Sequence, residues 1–331
     1  MTGGAATPSA LVVGAGSIGR RHARNLALLG CRVSACDRDP ARMEELPPEV
    51  RRFGSLDEAL AGRPELVAVC TPPASHVAIA RRAVGCGAHV FVEKPVSHSE
   101  EGLDELEEEA RRAGRVVQVG YNLRFHPGLR SLRAEMCAGA IGRVLWAHVE
   151  FGQYLPDWRP WQDYRQSYTA RAALGGGIIL DGSHEIDYAL WLFGEPRTVT
   201  CMAGRAGTLE VDVEDSVTIL MEFAGGTRVD VHLDFLQRHY TRACRLVGEL
   251  GTMEWDYPAA RLRLRRADQA EWDERPVPFE PNEMYLAEME SFLAAARTGA
   301  APAVSLADAR RTLNVALAAR EAAANRRWID V

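Results

Sequence analysis

The sequence predicts two domains: an α/β domain over residues 1–122, a parallel sheet covered by helices on both faces, and an α+β domain over residues 123–331. Three observations carry this expectation. The first part of the chain alternates short apolar runs with helical stretches, as βαβ units do. A glycine-rich turn, Gly14-Ala15-Gly16-Ser17-Ile18-Gly19, joins the first apolar run to the first helical stretch. Beyond about residue 142 the runs lengthen, alternate apolar with polar side chains, and are punctuated by glycine turns. A chain of 331 residues also exceeds what one small core usually serves.

In the first domain, strands are expected at 10–13, 32–36, 66–70, 89–92 and 116–121, each short and apolar enough to be buried on both faces. Between the last two, residues 99–112 open with a capping serine and carry Glu107/Arg111 and Glu108/Arg112 at i,i+4, which reads as an exposed helix. In the second domain, strands are expected at 143–151, 197–203, 216–223, 227–235, 242–247 and 261–265. The Phe223-Ala224-Gly225-Gly226-Thr227 turn suits an antiparallel hairpin in a broad sheet. Two helical segments, 283–297 and 306–325, close the chain, and their pattern does not reveal which domain they cover.

Composition narrows the function classes. The net charge is −6 and the basic residues are scattered, so neither nucleic acid nor an anionic membrane is expected as partner. Residues 1–9 lack a basic segment followed by an apolar one, and no later stretch offers ~18 uninterrupted apolar residues; the expected location is the cytoplasm. The seven cysteines form neither a CxxC nor a zinc-spaced cluster, and the nine histidines are dispersed. Reduced, mostly buried thiols and no metal site are expected.

The glycine turn has the context a dinucleotide requires. Gly14 permits the tight turn, Gly16 lets the backbone approach a pyrophosphate, and Gly19 allows helix and strand to pack closely. The phosphates would rest on the N-terminus of the helix beginning near Ser17 and Ile18. Asp37 ends the second strand 23 residues after Gly14, where a carboxylate accepts from ribose hydroxyls and repels a 2′-phosphate. The expected cofactor is therefore NAD in preference to NADP, with Arg38 offsetting part of that bias. Thr71-Pro72-Pro73 after the third strand flanks the same sheet edge, with His76 just beyond it. A glycine turn without a ligand is the competing reading.

Glu93 and Lys94 end the apolar run that starts at His89, ahead of Pro95. Ligands collect outside the carboxyl ends of parallel strands, so Lys94 is placed to face a bound molecule, or else is only a solvated strand end. Downstream, a helix over 181–193 would put Asp181, His184 and Asp187 at i, i+3 and i+6 on one side of an otherwise apolar segment. Buried polar groups without partners cost ~1–3 kcal/mol each, so the stripe needs a ligand or a set of core contacts.

Taken together, the GxGxxG, Thr71-Pro72-Pro73 with His76, Glu93-Lys94-Pro95, and Gly175-Gly176-Gly177 followed by Asp181 and His184 resemble the glucose–fructose oxidoreductase, inositol dehydrogenase and rhizopine-catabolism group of NAD(P)-dependent oxidoreductases. The resemblance spans nearly the whole chain. It implies a Rossmann domain followed by a domain with an open, mainly antiparallel sheet that often mediates homodimers or homotetramers. It also implies hydride transfer at a carbinol carbon of a sugar, cyclitol or related molecule. In many inositol dehydrogenase-like members the aspartate precedes the histidine by four residues, whereas here Asp181 precedes His184 by three. Members with the shorter spacing resemble enzymes of amino-sugar, nucleotide-sugar or secondary-metabolite pathways.

Alcohol oxidation releases a hydride and a proton. A base near neutrality handles the proton best, and histidine starts at ~6.5 where lysine starts at ~10.4. His184 is thus the expected general acid/base, with Lys94 polarising and positioning the reacting oxygen and Asp181 orienting the imidazole or binding a neighbouring hydroxyl. Asp187 is a further candidate, and Asn122 and Arg124, at the domain junction, are candidate substrate contacts. Residues 154–171 concentrate aromatic and arginine side chains that suit either a sugar-like substrate or a neighbouring subunit, with Tyr168 the best substrate candidate there. Two other outcomes remain open: a redox-neutral epimerase or glycosidase that uses bound NAD transiently, and a non-catalytic ligand sensor. Loss of the lysine or histidine would mark the sensor, and both are present.

Overall fold

The strand cores decide the first unit. Short runs such as Ala10-Leu11-Val12-Val13 and Val90-Phe91-Val92 are 0–4% exposed, which only a sheet covered on both faces achieves. The structure, a computed structural model, describes residues 7–331; of the N-terminal segment read above for a leader, residues 1–6 lie outside the described residues. Six strands, β1 (Ser9–Val13), β2 (Arg32–Cys36), β3 (Arg51–Phe53), β4 (Leu66–Val69), β5 (His89–Glu93) and β6 (Val117–Gly120), form an all-parallel sheet in the order β3-β2-β1-β4-β5-β6. Its helices are α1 (Ser17–Leu28), α2 (Leu56–Ala61), α3 (His76–Gly85) and α4 (Leu103–Ala113).

The helix expected from Ser99 starts later. Gly102, at φ 76°, precedes Leu103, and this left-handed residue stops the helix from extending back to the serine. The charge pairs also shift: Glu108 takes both Arg111 (2.9 Å) and Arg112 (3.4 Å), while Glu107 lies 3.8 Å from Arg310.

The second unit contains α5 (Pro127–Cys137), α6 (Leu155–Trp158), α7 (Ile178–Asp181), α8 (Ser183–Phe193) and a nine-stranded sheet. The strands are β7 (Val144–Gly152), β8 (Pro196–Gly204), β9 (Ser216–Phe223), β10 (Arg228–Asp234), β11 (Thr241–Gly248), β12 (Gly251–Asp256), β13 (Arg261–Arg266), β14 (Asp273–Pro276) and β15 (Ile329–Asp330). They lie in the order β14-β13-β12-β11-β7-β10-β9-β8-β15, and every pair is antiparallel except β7 with β10. One face is apolar: Ala147, Val149, Val229, Val231, Ile219, Leu246 and Met253 are buried, under α5, α7 and α8. This is the expected pairing of a doubly wound parallel sheet with a mainly antiparallel one.

The closing helices are α9 (Pro281–Thr298) and α10 (Leu306–Asn325). The first unit comprises the chain up to Tyr121 together with Asn282–Arg310; the second comprises Asn122–Pro281 and Arg311–Val331. The physical reason α9 joins the first unit is its apolar stripe: Met289, Phe292 and Leu293 complete the core formed by Leu26, Ala35, Ala68 and Phe91. Reciprocal amide bonds between Asn25 and Asn282, 2.9 and 3.2 Å, fix its start. All seven cysteines are free, four of them buried; Cys137 departs from the expectation by being exposed at the end of α5. Among the described residues, no helix is long and apolar enough to cross a membrane.

Candidate active site

β1 delivers Gly14 at its carboxyl end, beside the point where the strand order turns back between β1 and β4. Open α/β sheets bind ligands at such a point. Gly14 has φ 94°, and a Cβ there would meet the Cys70 carbonyl oxygen at 2.7 Å. A Cβ on Gly19 would fall 1.8 Å from the Gly14 carbonyl oxygen, so α1 approaches the turn this closely only because no side chain intervenes. Gly16 differs, because nothing lies within 4 Å of its Cβ position. Helix α1 then begins at Ser17 and Ile18 with no side-chain cap and no acidic residue in its first turn. Its N–H groups and positive dipole end stay available to an anion. Open space at Gly16 and an uncapped helix start are what a pyrophosphate requires, so these residues fit a dinucleotide.

Asp37 stands next to that turn. Its Oδ2 accepts the Ala15 N–H at 2.7 Å and its Oδ1 the Asp39 N–H at 2.9 Å, while Arg38 beside it is exposed. Across the sheet edge, the Thr71 hydroxyl accepts from Ser75 Oγ (2.7 Å), and Pro72 is extended at the start of the following turn. His76 is buried, with Nε2 2.6 Å from the Thr71 carbonyl and Nδ1 2.9 Å from that of Pro95. Burial lowers its pKa more than these two carbonyls raise it. The imidazole thus ties the loop after β4 to the loop after β5.

Lys94 is half-buried in the turn that follows β5, and its peptide bond to Pro95 is cis. Its backbone N–H donates to Glu93 Oε2 at 3.1 Å. The other Glu93 oxygen lies 2.5 Å from His22 Nε2. His22, Glu93 and Glu288 bring ligand-type atoms within 4.8 Å of one another, all buried. No spacing along the chain links these three residues, because they come from α1, β5 and α9.

In the second unit, the expected continuous helix over 181–193 is two pieces. Gly182 (ψ 18°) separates Asp181, the last residue of α7, from His184 in the first turn of α8, so Asp181 does not extend the His184–Asp187 face. His184 is half-buried. Asp181 Oδ1 accepts the Tyr168 hydroxyl at 2.8 Å, and burial followed by the Asp181 charge holds the Tyr168 pKa well above its usual value. The triple glycine makes this contact possible: a Cβ on Gly176 would sit 2.3 Å from the Tyr168 carbonyl oxygen, and one on Gly177 2.4 Å from Glu214 Oε1. Within residues 154–171, Tyr168 is therefore tied to its own chain's Asp181, whereas Trp161 is 77% exposed.

Arg124 and Asp187, both candidate substrate contacts, meet each other. Arg124 Nε and Nη2 donate to the two Asp187 oxygens at 2.8 and 2.7 Å, and Thr312 Oγ1 adds a third contact at 3.3 Å. The carboxylate is 2% exposed, so the pair braces α8 against the 3-10 turn Asn122–Phe125. Asn122 is buried in that turn. Lys94 belongs to the first unit and His184, Asp181 and Tyr168 to the second.

Comparison with known proteins identifies the family. Residues 9–121 match the oxidoreductase family with an NAD-binding Rossmann fold, and residues 129–254 match the GFO/IDH/MocA C-terminal domain. The chain is 31% identical over 313 residues to inositol 2-dehydrogenase 2 of Saccharopolyspora erythraea, covering 87% of this chain and 85% of that one. Among solved structures, GenD2 from gentamicin A biosynthesis, in complex with NAD, superposes with a TM-score of 0.85 at 25% identity over 98% of this chain and 96% of that one. The UDP-N-acetylglucosamine 3-dehydrogenase GnnA of Acidithiobacillus ferrooxidans gives 0.80 at 25% identity, over 96% and 98%. This chain belongs to the GFO/IDH/MocA family of oxidoreductases, with an NAD-binding Rossmann domain at its N-terminal end.

Proposed function

We propose that the protein is an NAD-dependent dehydrogenase or reductase acting at a carbinol or carbonyl carbon of a sugar, amino sugar, nucleotide sugar or cyclitol. The observation that carries this reading is the turn at Gly14–Gly19, whose open Gly16 and uncapped α1 suit a pyrophosphate beside the Asp37 carboxylate. Bound NAD supplies the hydride acceptor or donor. The polyol class rests on the relatives, which include an inositol 2-dehydrogenase and a UDP-N-acetylglucosamine 3-dehydrogenase.

Lys94 is assigned the reacting oxygen. A protonated amine donates to an oxygen that gains alkoxide character, which stabilises the transition state more than the ground state. His184 is assigned the proton, because an imidazole titrates nearest neutrality. Asp181 and Tyr168 form a hydrogen-bonded pair suited to a substrate hydroxyl. Asn122 is retained as a candidate substrate contact, whereas Arg124 and Asp187 satisfy one another and are assigned a bracing role.

The test is turnover of a cyclitol and sugar panel, with NAD reduction followed by nicotinamide absorbance. Wild type reduces NAD with at least one polyol, and Lys94→Ala and His184→Ala each lower kcat by ~10²–10⁴-fold. Either variant retaining wild-type kcat removes that residue from the chemistry. Product formation without net NAD reduction would replace a dehydrogenase with a redox-neutral enzyme.

A further inference from the structure

Behind the Lys94 turn lies a buried group that the proposed chemistry does not use. His22 Nε2 contacts Glu93 Oε1 at 2.5 Å, and Glu93 Oε2 holds the Lys94 N–H. Glu288 of α9 enters the same space, fully buried, and among the described residues neither of its carboxyl oxygens has a hydrogen-bond partner. Phe91 and Tyr285 lie edge-on to the imidazole, with ring centroids at 5.1 and 6.0 Å. The Cys70 thiol feels both carboxylates and His76 feels that of Glu93.

Two carboxyl groups share this space with a single imidazole. A second ionised carboxylate here is opposed both by lost hydration and by the charge on Glu93. Either a cation or a proton would resolve the imbalance, and the geometry separates them. Ligands to a tetrahedral ion at ~2.0–2.1 Å stand ~3.3 Å apart, whereas His22 and Glu93 are already at hydrogen-bond distance.

We propose that Glu288 keeps its proton in the working enzyme and so acts as a positioning residue for Lys94, working through Glu93. With Glu288 neutral, Glu93 alone engages His22 and keeps its second oxygen on the Lys94 backbone. An ionised Glu288 would compete for His22 and repel the Glu93 carboxylate, displacing the strand end that carries the lysine. Burial, reinforced by the Glu93 charge, holds the Glu288 pKa well above the ordinary carboxyl range, which agrees with this arrangement. The role in turnover rests on Lys94 facing the substrate.

Infrared difference spectra between the wild-type holoenzyme and Glu288→Gln at neutral pH test the proton directly. The expected result is the carbonyl stretch of a protonated carboxylic acid, present in wild type and absent from the variant. Kinetically, Glu288→Ala lowers kcat at least ~10-fold while moving the KM for NAD less than ~3-fold, and Glu288→Gln recovers at least ~5-fold of that kcat loss. No carboxylic-acid band, or a stoichiometric metal in the purified enzyme, overturns the proposal. Equal kcat in Glu288→Ala and wild type overturns the positioning role. The band is read without turnover, so a fully active Lys94→Ala variant would defeat the lysine assignment and leave the protonation result standing.

Discussion

Asp37 holds two positions at once, because its carboxylate accepts backbone N–H groups from both the glycine turn and its own loop. Under the proposed function its charge faces the ribose 2′ substituent of the dinucleotide, with Arg38 exposed alongside. Replacing it with alanine would confound charge with loop anchoring, since the Ala15 N–H would lose its acceptor. Asp37→Asn removes the charge and keeps one of the two acceptor oxygens. The ratio of kcat/KM for NADP to that for NAD is expected to rise at least ~10-fold in this variant, a difference of ~1.4 kcal/mol. An unmoved ratio would show that the aspartate serves only the loop. Asp37 was legible in the sequence because its distance from Gly14 is set by one βα unit. The Arg124–Asp187 pair was not, because its members are 63 residues apart and each, taken singly, looks like a substrate contact.

At the scale of elements, helix α5 is capped by a histidine. His126 Nδ1 accepts the Gly128 N–H at 3.0 Å, which requires that nitrogen to be unprotonated. The ring is buried against Phe279 and Trp255, with centroids at 4.2 and 5.0 Å. Burial, then the charge of Arg242, lowers its pKa to about 4. An unfolded histidine takes up its proton near ~6.5, so between about 6.5 and 4 the unfolded chain binds more protons. Stability from this group is complete above that window and is lost as the pH falls through it, by up to ~3 kcal/mol. His126→Asn retains a capping acceptor without the titration, so its melting temperature is expected to fall less between pH 7 and pH 5 than that of wild type. Parallel losses would place the acid sensitivity elsewhere. The strands of the first sheet, β3 apart, were legible because a sheet buried on both faces needs unbroken apolar runs, whereas β12 of the second sheet was missed. The short strands β3 and β14 were not legible, since Arg51-Arg52-Phe53 and Asp273-Glu274-Arg275-Pro276 carry the charge and proline that protect sheet edges and erase the alternation. The break at Gly182 escaped notice because the apolar spacing of residues 178–193 continues across it.

For the whole molecule, the unsettled surface is the outer face of the nine-stranded sheet. The alternation that buries Val231 and Ile219 turns Asp230 and Leu220 outward, and the register sets one row across seven strands: Thr200, Leu220, Asp230, His148, Arg245, Glu254 and Arg263. Its polar members are largely paired. Trp146 Nε1 and His148 Nδ1 both bond Asp230, and Glu254 takes Arg245 at 2.6 Å as well as Arg263. The same face leaves apolar surface open to solvent: Leu220 is 43% exposed, Met202 78% and Trp146, beyond its contacts with Asp230 and His148, 38%. We propose that this face is an association surface, because large apolar side chains left open on one sheet face suit burial against a second chain. An assembly through this face leaves both units of each chain intact, because the buried side of the sheet already has its helices. The wild-type protein is therefore expected to run as a dimer or tetramer in size-exclusion chromatography with light scattering. Leu220→Asp would set a carboxylate beside Asp230 at the middle of the row, and is expected to shift the mass towards that of one chain without lowering the helical and strand content seen by circular dichroism. A wild-type protein that is monomeric at micromolar concentration would refute the assembly. A variant that keeps the wild-type mass would move it to another surface.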